Sequence, residues 1–303
     1  MDVSAFLVAK GLVKSTTEVS VSRLKGGYWN DVFRVRGDGF DWVAKVFRTG
    51  WSETLYPIMP DAEAKALEVL GGETAVSPTS IAYFPKTETA RAVLIYEFWP
   101  GSPWERGVVR VADLLKRLHA IEVVPDLANC FRPMPTNPEG IMQQGDRLLD
   151  VIPDDVQGQR IRRLRPAIMD GGEGMRVKRP FVIHTDFGPA NMIDGPKGLR
   201  IIDWQCPGLG DPVEDVWSFL SPALNILFQH ASLTPEEKEC FLQAYGGDGI
   251  RERLAYLTRY FSYRMMAYCA LRVANTADEA IGAVYQQALE AEWAEVFSRV
   301  PSR

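Results

Sequence analysis

Val182-Ile183-His184-Thr185-Asp186-Phe187-Gly188-Pro189-Ala190-Asn191-Met192-Ile193, followed by Ile201-Ile202-Asp203-Trp204-Gln205, is the stretch on which the reading of this chain turns. It places an acid, an amide five residues later and a second acid twelve residues beyond that. Phosphoryl transfer needs these types: a carboxylate to orient and deprotonate the attacking hydroxyl, and an amide oxygen with a carboxylate to hold Mg²⁺ on nucleotide phosphates. Met192 to Asp194 and Leu199 to Asp203 read as short strands around the turn Gly195-Pro196-Lys197-Gly198. Such a turn brings Asp186, Asn191 and Asp203 together.

The upstream part supplies complementary groups. Leu24-Lys25-Gly26-Gly27-Tyr28-Trp29-Asn30-Asp31-Val32-Phe33 reads as a strand, a glycine turn able to cover phosphates, and a second strand. Lys45 lies in the otherwise apolar strand Trp42-Val43-Ala44-Lys45-Val46-Phe47, and a lysine there is costly to bury without an anionic partner. Glu63, in the first turn of the following helix, is the candidate counter-charge that would aim the ammonium at the α- and β-phosphates. That helix is expected over Ala62 to Leu70, with Asp61 as N-cap after Pro60 and Gly71-Gly72 as its stop. Strands are expected over Val19 to Leu24, Asp31 to Arg36, Phe40 to Phe47 and Ala90 to Tyr96, which with one inserted helix describe a small antiparallel sheet.

Beyond Pro100-Gly101 the pattern becomes helical: Val108 to Ile121, Glu139 to Val151, Val156 to Arg165, Pro212 to Phe228, Pro235 to Tyr245, Ile250 to Asn275 and Thr276 to Val300. The 303 residues suffice for one large domain or two lobes sharing a cleft. The expected division is a sheet lobe at 1–99 and a helical lobe at 100–303. Net charge is −5, with 12 acids and 11 bases in residues 1–101 against 27 and 23 in the remainder. That balance argues against a phosphate-backbone surface, so nucleic acid is not an expected partner. No run of about 18 apolar residues or basic leader is present, which makes a membrane partner unexpected and a cytoplasmic location the default. Cys130, Cys206, Cys240 and Cys269 lack the spacing of a zinc site or disulfide framework.

In the order of these motifs the chain resembles the aminoglycoside phosphotransferase and choline kinase-like family, small-molecule kinases with a protein-kinase-like fold. His184-x-Asp186-x₄-Asn191 is similar to the family's catalytic loop, Ile202-Asp203-Trp204 to its metal-binding motif and Gly210-Asp211-Pro212-x-x-Asp215 to the segment that follows. Ile95-Tyr96-Glu97-Phe98-Trp99-Pro100-Gly101 resembles the inter-lobe hinge, and Leu114-Leu115-x-x-Leu118-His119 the helix after it. The resemblance implies a bilobed α+β protein, with ATP·Mg²⁺ between a small antiparallel sheet lobe and a larger helical one. It implies Asp186 as catalytic base, Asn191 and Asp203 as Mg²⁺ ligands, Lys45 on the phosphates with Glu63 as its partner, Gly26 and Gly27 over the phosphates, and backbone groups of Glu97 and Trp99 at the adenine edge. Asp211 or Asp215 would brace the catalytic loop, and His184 reads as an internal brace. The phosphate loop is shorter in glycine than a protein-kinase loop, and Thr185 stands where those enzymes carry an arginine; a phosphorylation-switched protein kinase is disfavoured.

The implied activity is ATP- and Mg²⁺-dependent transfer of the γ-phosphoryl group to a hydroxyl of a small molecule, such as an aminoglycoside, amino sugar or amino alcohol. A neutral sugar, a homoserine-like or a thiamine-like alcohol would leave every motif unchanged, and a nucleotide-binding regulatory protein without turnover is the non-enzyme alternative. The motifs say nothing of ATP against GTP or of oligomeric state. His119, beside Leu115 and Leu118, reads as a hydrogen-bonded structural histidine, and Cys206 as an inert thiol. The stripe Tyr256, Tyr260, Tyr263 reads as core packing, with an aromatic wall around a cationic acceptor as its sharper alternative.

Overall fold

A computed structural model of the protein describes residues 1–24, 30–48, 54–152, 156–170, 172–175, 177–247 and 249–297. Its elements in chain order begin with α1 (Val3–Ala9), β1 (Ser20–Arg23), β2 (Asp31–Gly37), β3 (Phe40–Val46), α2 (Pro60–Leu70), β4 (Ser80–Phe84), β5 (Val93–Glu97) and β6 (Ser102–Pro103). There follow α3 (Val108–His119), α4 (Pro125–Cys130), β7 (Arg132–Pro133), α5 (Pro138–Asp150), α6 (Val156–Arg163), β8 (Phe181–Ile183), β9 (Met192–Gly195), β10 (Gly198–Ile201) and β11 (Gly208–Gly210). The chain ends in α7 (Val213–Leu220), α8 (Pro222–Leu227), α9 (Pro235–Tyr245), α10 (Ile250–Asn275) and α11 (Glu279–Phe297). Two compact units emerge: Met1–Glu53 with Pro57–Ser102 and Ile193–Cys206, and Thr54–Tyr56 with Pro103–Met192 and Pro207–Arg303.

The first unit is built on an antiparallel five-stranded sheet in the order β1-β2-β3-β5-β4. β2 and β3 turn at Gly39, whose φ of +78° is open to glycine without a Cβ penalty. The two-residue strand period puts Val35, Ala44, Val46, Val93 and Ile95 on one face, where Val3 and Leu7 of α1 cover them. Lys45 therefore points to the other face, opposite Val32 and Leu94 in register. α2 starts at Pro60 with Met59 as N-cap, so Asp61 is not the cap expected from sequence. Proline at the first helical position needs no N–H partner, and the Asp61 carboxylate instead accepts the Tyr83 hydroxyl at 2.7 Å.

The second unit centres on the 26-residue α10, which packs against α5, α7 and α11. Burial over Tyr256, Tyr260 and Tyr263 makes that stripe core packing, and their hydroxyls are engaged: Tyr256 donates to the Met169 carbonyl at 3.0 Å, Tyr260 accepts the Met169 N–H at 3.1 Å, and Tyr263 donates to Asp146 at 2.7 Å. The helix expected over Pro212 to Phe228 is broken. Pro222 holds Ser221 out of the α region (φ −65°, ψ 124°), and the Ser221 side chain caps α8 by accepting the Leu224 N–H. Sequence pattern alone does not mark α1 and α4, each under two turns long, or the edge strand β4. No helix among the described residues is long and apolar enough to cross a membrane.

Glu292 of α11 is 1 % exposed and accepts hydrogen bonds from Ser221 (2.6 Å), Ser262 (2.5 Å) and the Ala223 N–H (3.3 Å), joining three helices. Burial raises its carboxyl above the ordinary range, against the lowering effect of those donors. A raised acid in the folded state contributes stability that is complete below its unfolded value and is lost as pH rises through the folded one. Glu292→Gln imitates the protonated form. Its stability relative to wild type is therefore expected to rise as pH climbs above the ordinary carboxyl range, by at most about 1.4 kcal/mol per pH unit; a pH-independent difference in melting temperature would refute this.

Candidate active site

Lys45, Glu63 and Asp203 meet within the first unit. The Lys45 ammonium donates to both oxygens of Glu63 at 2.7 Å and to Asp203 Oδ1 at 2.5 Å. Lys45 and Glu63 are 3 % and 1 % exposed, whereas the Asp203 side chain keeps 37 % of its surface. The strand register fixes the lysine, the first turn of α2 fixes the glutamate, and the end of the β9–β10 hairpin delivers the aspartate with a φ of +60°. Burial works against the ammonium, yet the charges of Asp203 and Glu63 outweigh it and hold Lys45 protonated. Burial pushes Glu63 upward while Lys45 pulls it back.

Asp186 and Asn191 lie within the second unit, on the loop that leaves β8. The Asn191 side-chain amide donates to the Asp186 carbonyl at 2.9 Å, which closes the loop and turns the amide oxygen away from it. Gly188 sits where a Cβ would collide with the Phe228 ring, so the loop passes close over that side chain. Of the two acids left open by the sequence, Asp215 braces this loop: its oxygens accept the N–H groups of His184 at 2.8 Å and Thr185 at 2.9 Å. Thr185 is held at φ +71°, a conformation costly for a β-branched residue and sustained only when its surroundings over-determine it. Asp211 instead caps Val213 N–H at 3.0 Å and pairs with Arg253 at 3.2 Å.

His119 is structural. Its Nε2 lies 3.1 Å from Asp215 Oδ2 and its Nδ1 2.8 Å from the Tyr245 hydroxyl. His184 is buried, with its ring edge-on to Phe187. Arg132, which the sequence did not single out, donates to Thr185 Oγ1 at 3.3 Å and to the Leu55 carbonyl at 3.0 Å. Glu97 ends β5, and Trp99 follows with its indole N–H on the Gly198 carbonyl at 3.2 Å and Arg200 stacked 4.1 Å from its ring. Cys206 is buried. Gly26 and Gly27, expected over the phosphates, lie outside the described residues.

The oxygen donors are those of a hard cation: a half-exposed carboxylate on Asp203 and an amide oxygen on Asn191. Among the described residues no three His, Cys, Asp or Glu side chains converge as a self-sufficient metal site. Mg²⁺ is ordinarily held by one or two carboxylates together with substrate phosphates, and each of these two side chains, taken within its own unit, is of a type that fits it.

The model of the phosphotransferase enzyme family, APH, matches residues 20–257. No curated protein sequence matches the chain. Solved structures share the fold. An ethanolamine kinase from Plasmodium vivax superposes with a TM-score of 0.71 at 13 % identity, over 98 % of this chain and 88 % of the other. Choline kinase LicA from Streptococcus pneumoniae gives 0.66 at 17 % identity, over 97 % and 100 %. A spectinomycin phosphotransferase in complex with ADP and spectinomycin gives 0.59 at 15 %, over 90 % and 92 %. The fold is thus the α+β, protein-kinase-like one.

Two outcomes follow from the geometry alone. Lys45→Met strands a buried carboxylate and is expected to cost about 3 kcal/mol, most of it restored in Lys45→Met/Glu63→Leu; equal urea midpoints for the single variant and wild type would contradict the pairing. Asp215→Asn removes one acceptor from the two loop amides, so hydrogen exchange at His184 and Thr185 is expected to accelerate by about tenfold or more. Unchanged protection would show that Asp215 does not hold the loop.

Proposed function

The chain belongs to the APH phosphotransferase enzyme family and is a small-molecule kinase; from that premise we propose that it uses ATP and Mg²⁺ to phosphorylate a hydroxyl of a small molecule. The observation that carries this reading is the buried Lys45 ammonium, clamped by Glu63 and open on the side of a half-exposed Asp203. In this reading Lys45 binds the α- and β-phosphates, Glu63 fixes its direction, and Gly26 and Gly27 cover the phosphates. Backbone groups of Glu97 and Trp99 take the adenine edge. ADP in the structure of the spectinomycin phosphotransferase supports the choice of an adenine nucleotide.

Asn191 and Asp203 would hold Mg²⁺, which when bound neutralises charge on the phosphates. Asp186 acts as the base. The acceptor hydroxyl oxygen bonds to the γ-phosphorus, its proton passes to the Asp186 carboxylate, and the bond from that phosphorus to the bridging oxygen breaks, releasing ADP. Alignment and charge neutralisation supply most of the acceleration in such transfers. The bracing of His184 and Thr185 by Asp215 supports this role, since it fixes the backbone from which Asp186 projects.

In a coupled ADP-release assay with ATP, Mg²⁺ and a panel of hydroxyl compounds, Asp186→Ala is expected to lower kcat about a thousandfold while nucleotide affinity persists. Asp203→Ala is expected to abolish the Mg²⁺ dependence of nucleotide binding. Wild-type turnover in the first variant would remove Asp186 as base, and an unaltered metal titration in the second would remove Asp203 as ligand.

A further inference from the structure

Arg132 reaches the loop that carries Asp186 from a strand outside it. β7 runs parallel to β11 with Arg132 opposite Gly208, and β11 runs antiparallel to β8 with Gly208 opposite Ile183, so the three residues form one row across a small sheet. Ile183 ends β8, and Thr185 follows two residues later. Gly208 keeps that row open, because a Cβ there would lie 2.6 Å from Met134 Cγ and 3.0 Å from Thr185 Cγ2. Beside it one guanidinium nitrogen of Arg132, Nη2, uses its two hydrogens on Thr185 Oγ1 at 3.3 Å and on the Leu55 carbonyl at 3.0 Å. Residues 54–56 belong to the second unit together with β7, β8 and β11, so the whole arrangement lies within it.

The backbone at Thr185 gives this contact its meaning. Its φ of +71° is a state that a β-branched residue leaves unless its surroundings hold it there. Asp215 accepts the N–H groups of His184 and Thr185, and these bonds fix the peptide planes on the N-terminal side of the Thr185 Cα. The next rotation along the chain is φ of Thr185 itself. It swings the threonine side chain and the start of Asp186 together, and the side chain is what Arg132 holds. The same charge acts on Glu214 of α7, whose carboxyl burial raises while Arg264 and then Arg132 lower it.

We propose that Arg132 is a positioning residue for the phosphoryl transfer: by holding Thr185 Oγ1 it locks the left-handed turn from which the next residue, Asp186, is presented to the acceptor hydroxyl. The inference rests on the phosphotransferase reading with Asp186 as base, and adds to it a group that acts through Thr185 and not on the reacting atoms. Alignment of reacting groups is steep in distance, a displacement of about 1 Å costing about a hundredfold in rate. Loss of the brace therefore falls on kcat and not on nucleotide binding.

The test uses the full-length protein with ATP, Mg²⁺ and the best acceptor of the hydroxyl panel. Arg132→Met is expected to lower kcat by about tenfold to a hundredfold, with KM for ATP within about twofold of wild type. Arg132→Lys should recover much of that loss, since one ammonium can make both bonds that Nη2 makes. Thr185→Val keeps the β-branch and removes the acceptor, so its kcat should fall about as far, and Arg132→Met/Thr185→Val should fall no further. Full multiplication of the two single losses would overturn the pairing, and so would an unchanged kcat or a loss confined to KM in Arg132→Met. Arg132→Met also removes a charge that acts on Glu214. If it fails to fold, Thr185→Ser, which keeps Oγ, against Thr185→Val decides: equal kcat values overturn the proposal. Hydrogen exchange reads the brace without turnover, the Thr185 amide being expected to exchange about fivefold faster in Thr185→Val than in wild type. Unaltered exchange beside measurable turnover would overturn the brace alone. Absence of ADP release with every acceptor would overturn the phosphotransferase reading, whatever the exchange shows.

Discussion

The first unit depends on one buried ammonium. Lys45 sits in a strand whose neighbours are apolar, and its burial is tolerable only because α2 brings Glu63 against it and the β9–β10 hairpin brings Asp203. That requirement ties together three stretches of chain far apart in sequence. β3 must keep its register so that Lys45 lies opposite the face covered by α1. α2 must begin at Pro60, because starting one residue later would rotate Glu63 by about 100° and turn it away from the sheet. The alternation of strand residues thus does two things at once: it packs one face with valine and isoleucine and delivers a single charge to the other.

The second unit has an equivalent centre in Asp215, which is completely buried and accepts from two backbone amides as well as from the His119 ring. Two consecutive amides bound to one carboxylate leave Thr185 little choice but the left-handed region. His119 and Tyr245 extend the network to α3 and α9, so the backbone conformation beside Asp186 is set by helices that never approach the loop in sequence. Gly188 contributes by absence of a side chain, letting the loop pass over Phe228.

Much of this is legible in the sequence. The spacing of Asp186, Asn191 and Asp203, the isolated Lys45 and the Gly-Asp-Pro segment placed the motifs on the right element types, and α9 and α10 begin and end where periodicity and capping put them. The losses have physical causes. The break at Ser221 was hidden because Ser-Pro can continue a helical pattern in composition while Pro222 forbids it in backbone geometry. Asp211 and Asp215 are the same residue type four positions apart, and only the tertiary approach of the β8 loop separates a helix cap from a loop brace. The stripe that periodicity reveals, Tyr256, Tyr260 and Tyr263, is spent on anchoring residues 146 and 169, contacts that no local pattern announces.

Buried charge alone does not mark a site, and the two ion pairs make the distinction. Arg264 and Glu214 form a pair as short as that of Lys45 and Glu63, at 2.7 Å, and are equally sealed from water. Replacing such a pair by well-packed apolar residues is often neutral or stabilising, so neither is explained by stability alone. What separates them is the third partner. Arg264 also donates to Gln144, a neutral side chain inside the helical packing. Lys45 is closed off by Asp203, a second carboxylate that keeps over a third of its surface. One ammonium facing two carboxylates leaves negative charge on the side of Asp203, the partner that water still reaches. The Arg264 pair has no such exposed second carboxylate, which is why Lys45 and not Arg264 carries the functional reading.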